Sequence, residues 1–198
     1  FPKFFHPDPT EKRQSGFLIP KLTSANTLGN ALEIPYFKVL AKNKDMTFKP
    51  KLYDNGSLII QSEYREEKEN SSHIADFSIF NKKNINFVGD GKTKNHFFSN
   101  SVFDYDFKKF EDSRIEINIE TTSNDTYLKT YKIKSPLIDN TTSLNSFINI
   151  ELDNKETYLK TSIESYEDLA KNKSERYEFI YPNIEFIKDI NLDSKYKG

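Results

Sequence analysis

The residues best placed to do chemistry in this chain are few. His6, His73 and His96 are its only imidazoles. Their scattered positions match no zinc pattern, which needs ligands a few residues apart on shared local structure. None of them accompanies a nucleophile motif of the Gly-x-Ser-x-Gly type. Cysteine is absent, so thiolate ligands, thiol nucleophiles and disulfides are all excluded. Carboxylates are plentiful, but the pair Glu66-Glu67 sits in the run Glu63-Tyr-Arg-Glu-Glu-Lys-Glu69, which reads as a solvated, charge-rich turn. The run Lys171-Asn-Lys-Ser-Glu-Arg176 reads as a hairpin end. With 6 glycines, no loop cradles a nucleotide phosphate. These residues predict no catalytic set, no metal site and no cofactor, with the histidines exposed or at a rim.

The chemistry that remains belongs to the backbone. Pro20 and Pro35 fall in two β-type stretches near the start, and proline has no N–H to give to a sheet ladder. Two readings stand at this point. Each proline is an ordinary edge or strand-start residue, or the two together thin the seam between adjacent strands. Pro50 and Pro182 read as strand bends or bulges. Gly16 offers a bulge or a close backbone approach. Arg13 reads either as a solvated strand-start residue or as an anchor for an anion.

Period two dominates the elements that must position these residues. Ile115, Ile117 and Ile119 alternate with Glu116, Asn118 and Glu120. Phe97, Ser99, Ser101, Phe103, Tyr105 and Phe107 share a face opposite Asn100, Asp104 and Asp106, and Ile148, Ile150 and Leu152 oppose Asn149 and Glu151. Such alternation is the signature of strands with one apolar and one wet face. Asn55-Gly56 is a strong hairpin signal. Turn residues at 43–45, 69–72, 89–91, 123–125, 139–140 and 153–155 mark further reversals. The pattern predicts about ten strands, near 13–22, 28–40, 46–53, 57–67, 72–81, 95–108, 113–122 (continuing toward 133), 142–152, 156–168 and 176–188. No strong helix is expected. Asp-Thr-Tyr-Leu-Lys-Thr at 125–130 and Glu-Thr-Tyr-Leu-Lys-Thr at 156–161 read as similar hairpin starts.

Composition narrows the class. Lys plus Arg is 29 against 30 for Asp plus Glu, so no charge excess points to nucleic acid. Aromatics reach 14% while hydrophobic residues total only 35%. No apolar run approaches the roughly 18 residues of a membrane helix, but barrel strands leave no such peak. Composition alone favours a soluble, carbohydrate- or lipid-binding β-sandwich with aromatics between two sheets. A barrel would place the same aromatics at interfaces and in a lipid-facing band. An enzyme built on a barrel, such as a lipase or protease, would need a nucleophile–base set. The first residues, Phe1-Pro-Lys-Phe4, read as the middle of a longer polypeptide.

The run Lys12-Arg-Gln-Ser-Gly-Phe-Leu-Ile-Pro20 resembles the opening of the barrel domain of the LPS-assembly protein LptD family, also called OstA or organic solvent tolerance proteins. The likeness continues in Ile34-Pro-Tyr-Phe37, Lys44-Asp-Met-Thr-Phe-Lys-Pro50 and Gln61-Ser-Glu-Tyr-Arg65, and returns in Thr126–Tyr131, Ser143–Phe147 and Arg176–Pro182. The resemblance implies an all-β fold: an antiparallel up-and-down meander, with residues 1–198 as the N-terminal portion of a larger outer-membrane β-barrel. It implies no enzyme activity, but transport of lipopolysaccharide, which leaves sideways through a seam between the first and last strands. It assigns Pro20 and Pro35 to the lateral gate, and Arg13, Ser15 and Gly16 to the motif that opens the barrel. Implied partners are lipopolysaccharide, an LptE-type lipoprotein plug, an LptA-type periplasmic bridge and outer-membrane lipid. It further implies that Ile115, Ile117 and Ile119 face lipid.

Overall fold

A computed structural model describes residues 13–25, 29–81, 93–107 and 110–189. His6 and the reversal near 89–91 lie outside them. Among the described residues, twelve strands make one antiparallel sheet. They are β1 (Gly16–Phe17), β2 (Lys21–Ala25), β3 (Gly29–Glu33), β4 (Tyr36–Ala41), β5 (Lys44–Tyr53), β6 (Leu58–Lys68), β7 (Ser71–Asn81), β8 (Lys94–Asp104), β9 (Asp112–Thr122), β10 (Ser143–Asp153), β11 (Thr157–Asp168) and β12 (Tyr177–Lys188). From β5 to β12 each strand pairs with the next in an up-and-down order. The first four segments are two broken strands: β2 pairs with β3, and β1 pairs with β4. Counting each broken strand once leaves ten strands of a meander, the number that the alternation predicts. The sheet is open, with β1 and β2 at one edge and β12 at the other.

Cross-strand register decides which side chains share a face. The pairs Ile60↔Ile79, Phe77↔Phe97, Ile117↔Ile148 and Ile148↔Ile163 put the apolar members of successive strands together. Ile60, Ile79, Phe97, Ile119, Ile148 and Ile163, one from each of β6 to β11, are all exposed on that face. The opposite face carries Gln61↔Ser78↔His96 and Glu63↔Asp76↔Phe98↔Glu120, which is largely polar. The alternation in β8 to β10 therefore segregates as the sequence implies, with Ile115, Ile117 and Ile119 on the apolar side.

The two ends of the sheet differ. At one end β4–β5, β6–β7, β8–β9 and β10–β11 are joined through residues 42–43, 69–70, 105–111 and 154–156. At the other, β5–β6, β7–β8, β9–β10 and β11–β12 are joined through 54–57, 82–93, 123–142 and 169–176. The longest connection, 123–142, folds back over the polar face. It contains one helical turn, α1 (Tyr127–Thr130). Tyr127 and Leu128 are fully buried, and with Tyr131 and Ile133 they pack on Ala31, Tyr53, Ile59, Phe80 and Phe98. The hydrophobic core thus lies between this connection and the long-connection end of the sheet.

Three expectations change. The strand at 113–122 stops at Thr122 instead of running toward 133. The two Thr-Tyr-Leu-Lys-Thr copies diverge: 126–130 makes the buried turn, while 157–161 opens β11. Glu66 and Glu67 lie within β6, not in a solvated turn, and Glu66 is held by Lys44 and Lys68, each at 3.0 Å.

Candidate functional site: the broken first hairpin and the pinned connection

The first hairpin begins with Arg13. Its guanidinium pairs with the buried Asp45 carboxylate, which also accepts from Arg65 Nε at 2.9 Å. It lies over the Phe37 ring, 5.6 Å from the centroid. Arg13 is therefore neither free nor simply solvated: it ties the start of the first strand to β5 and, through Asp45, to β6. Ser15 Oγ accepts from the Val39 N–H at 2.9 Å. Gly16 pairs with Phe37 across an ordinary antiparallel step, and a Cβ there would meet nothing within 4 Å. Gly16 serves neither a bulge nor a close approach; the irregularity comes two residues later.

That irregularity holds the two prolines. Phe17 pairs with Tyr36, and pairing resumes at Lys21↔Glu33. Three residues, 18–20, therefore face two, 34–35, which is the count of a β-bulge. Pro20 is exposed in the interruption between β1 and β2, while Pro35 is buried in the interruption between β3 and β4. One bond crosses here: Leu18 N–H donates to the Pro35 carbonyl at 2.8 Å. Hydrogen-bonded antiparallel partners normally exchange two bonds. Pro35 has no N–H for the second. The structure thus brings Pro20 and Pro35 together at one level of one seam. Arg13, Ser15 and Gly16 sit nearer the short-turn end of the same hairpin.

The far end of the hairpin is clasped. Asn30 N–H donates to Asp54 Oδ2 at 2.9 Å, and Asp54 N–H returns a bond to the Asn30 carbonyl at 2.9 Å. Gly29 has φ +80°, and a Cβ on it would run into the Asp54 carboxylate. Lys132 Nζ reaches the Ser24 carbonyl at 3.3 Å, tying the 123–142 connection to β2.

A second constellation was not legible from residue spacing. Asp76 and Ser78 lie two apart on β7, so they share a face, and His96 stands opposite Ser78 on β8. Ser78 Oγ is 2.7 Å from His96 Nδ1, and His96 Nε2 is 3.2 Å from Asp76 Oδ1. The Tyr127 hydroxyl shares a 2.7 Å hydrogen bond with Ser78 Oγ. Gln61 Nε2 donates to Asp76 at 2.8 Å and to the Lys134 carbonyl at 2.9 Å. One assignment satisfies the chain: Tyr127 donates to Ser78, Ser78 to Nδ1, and Nε2–H to the carboxylate. These are Ser, His and Asp in relay order, yet Asp76 is 0% and Ser78 1% exposed beneath Tyr127. A nucleophile needs access to substrate, and burial beneath Tyr127 denies it to Ser78 in this conformation. The network pins the 123–142 connection to the sheet. Burial pushes the Tyr127 hydroxyl up to about 12, and raises Tyr131 as well. His96 is thus a core residue, not an exposed or rim histidine, while His73 is half-buried against Phe103. Arg176 is buried too, donating to Asp125 at 2.9 Å, 3.1 Å from Glu167, and so holding the connection from the β11–β12 side.

At the short-turn end a cavity of about 430 Å³ is lined by Asp104, Asp106, Asp112, Glu151, Asp153 and Arg114 among others. Its carboxylates disfavour an anionic ligand. Among the described residues no group of His, Asp and Glu is placed to hold a metal ion.

The chain is similar to the LPS-assembly protein LptD of Legionella pneumophila (strain Paris), 30% identical over 135 residues, which is 62% of this chain and 16% of that protein. It is 32% identical over 87 residues to LPS-assembly protein LptD of Pseudomonas aeruginosa (strain UCBPP-PA14), covering 42% of this chain and 9% of that protein. It is 25% identical over 126 residues to LPS-assembly protein LptD of Acinetobacter baylyi, covering 54% of this chain and 15% of that protein. The matched stretch is thus at most about a sixth of the length of these relatives. No family model matches the chain.

Proposed function

We propose that this chain is part of the wall of an outer-membrane β-barrel that assembles lipopolysaccharide into the outer leaflet, and that the first hairpin is one side of its lateral opening. The observation that carries this reading is the apolar face, which is exposed among the described residues. Ile60, Ile79, Phe97, Ile119, Ile148 and Ile163 form a band across six neighbouring strands, all exposed. Water-soluble proteins rarely expose contiguous apolar patches beyond a few hundred Å². A soluble sandwich would cover this face with a second sheet; here all twelve strands lie in one sheet, and the connection 123–142 covers the polar face instead. Hydrocarbon outside and a polar lumen inside suit both faces. The similarity to proteins named for LPS assembly supports lipopolysaccharide as the cargo, and this reading adds an LptE-type plug and an LptA-type bridge as partners.

The ends give an orientation. Outer-membrane barrels carry short turns toward the periplasm and longer loops outside. The turns at 42–43, 69–70 and 154–156 then face the periplasm, and 123–142 lies on the extracellular side, folded into the lumen. Residues 1–198 form the start of the barrel domain in this reading, and Arg13 sits at the periplasmic rim, where the lipid would enter.

Pro20 and Pro35 thin the seam at mid-height. A net hydrogen bond contributes about 0.5–1.5 kcal/mol, so restoring two would stabilise the closed seam by roughly 1–3 kcal/mol where both new N–H groups find partners. Each 1.4 kcal/mol lowers an open population about tenfold. In the full-length protein, Pro20→Ala with Pro35→Ala should fold and reach the outer membrane yet leave lipopolysaccharide undelivered at the surface. Normal surface lipopolysaccharide at equal barrel abundance would remove the gate role.

A further inference from the structure

Pro50 lies inside β5, paired with Ile60 of β6 on one side and facing the interruption between β3 and β4 on the other. Its register is continuous toward β6, where Pro50 faces Ile60. It is also continuous toward the hairpin, where Glu33↔Lys51 and Tyr36↔Phe48 bracket it without a shift. Proline inside a sheet is normally confined to edges, strand starts or bulges. Pro50 has none of these, which corrects its reading as a bend or bulge and leaves its position to be explained.

The direction of the missing bond supplies the explanation. Ile34 N–H donates to the Pro50 carbonyl at 3.1 Å, so Ile34 and Pro50 are hydrogen-bonding partners. The return bond would need an N–H on Pro50, which does not exist. In an antiparallel ladder a residue directs its N–H and C=O to one neighbour only. The loss therefore falls wholly on the seam toward the hairpin, and the β5–β6 seam is untouched. The adjacent residue, Pro35, directs its carbonyl the other way, to Leu18 at 2.8 Å, and again returns nothing. Consecutive residues Ile34 and Pro35 thus belong to two half-made pairs, one in each seam, at the same height. Above and below that height the hairpin is held, by Asn30 with Asp54 and by Arg13 with Asp45.

We infer that Pro50 is a third gate residue: it lets the middle of the whole first hairpin bow away from β5 while both its ends stay fastened. Opening is then two strands deep, and β5 is the first fixed strand of the wall. This rests on the lateral-opening reading above and adds to it the line along which the hairpin moves.

The test compares Pro50→Ala and Pro35→Ala, each alone, in the full-length protein in the outer membrane, by amide-resolved hydrogen exchange and by surface lipopolysaccharide. Pro50→Ala should slow exchange at Ile34 by about three- to tenfold, one net hydrogen bond, and should reduce surface lipopolysaccharide as Pro35→Ala does. If Pro50→Ala slows Ile34 but export stays normal while Pro35→Ala reduces it, the third-residue role falls and the gate reading stands. If export is normal in both variants, the gate reading falls and this inference with it. Should Pro50→Ala fail to assemble, the parent protein decides. The amides of Leu18 and Ile34 should then exchange faster than those of Lys49 and Gln61 across the β5–β6 seam. Equal protection there overturns the proposal.

Discussion

Ile148→Arg separates a membrane wall from a water-exposed sheet by magnitude alone. Ile148 is the central residue of β10, with five residues on either side in Ser143–Asp153. Eleven residues at about 3.4 Å each, tilted by about 40°, span roughly 28 Å along the membrane normal, close to the apolar band of an outer-membrane barrel. Ile148 then sits near the midplane, on the face shared with Ile117 and Ile163. Arginine at the midplane on the lipid side costs about 2–4 kcal/mol. At a merely water-exposed site the same change stays within about 0.5 kcal/mol, because no buried contact is lost. The comparison variant is Tyr166→Arg, on the opposite face, where the new side chain keeps a donor for the Glu164 carboxylate that Tyr166 now serves at 2.6 Å. Equilibrium unfolding of the full-length protein from lipid vesicles reads both values. A cost for Ile148→Arg below 1 kcal/mol, or equal to that of Tyr166→Arg, would refute the assignment of this face to lipid.

Two further outcomes follow from the polar face and the hairpin. Tyr127→Phe removes the hydroxyl from Ser78 and should cost about 0.5–1.5 kcal/mol. The folded Tyr127 holds its proton up to about pH 12, while an unfolded tyrosine loses it near 10. The parent should therefore lose stability as pH rises from about 10 to 12, and Tyr127→Phe should flatten that slope in unfolding curves; an unchanged slope would assign it elsewhere. Gly29→Ala should destabilise by at least about 1–2 kcal/mol, the cost of a Cβ in the left-handed region, since it also disturbs Asp54. Gly16→Ala, with open space around it, should be neutral or stabilising by up to about 1 kcal/mol. Equal thermal shifts for the two alanine variants would contradict these backbone assignments.

How much of this was legible in the sequence follows from which forces are local. Period two and turn residues are local, so strands and connections came through to within a few residues, as at 57–67 against β6 (Leu58–Lys68). The face of each strand came through as well, because alternation alone sets it. What failed depended on partners far away in the chain. The turn at Tyr127–Thr130 lacks the usual glycine signal: Lys132 takes φ 50° just past its end, while Ile133 N–H bonds to the Leu128 carbonyl at 2.9 Å. That geometry is the Schellman arrangement, normally marked by glycine at the position Lys132 occupies. What selects it here is burial of Tyr127 and Leu128 against Phe80 and Phe98, contacts that the same five residues at 157–161 do not have. His96 was misread for a similar reason, since its partners Asp76 and Ser78 become neighbours only through the β7–β8 register. Pro50 shows the limit most directly. Its missing N–H was evident from residue type, but which seam it weakens depends on whether its amide faces Ile34 or Ile60. Only the ladder decides that, and it decides for the hairpin.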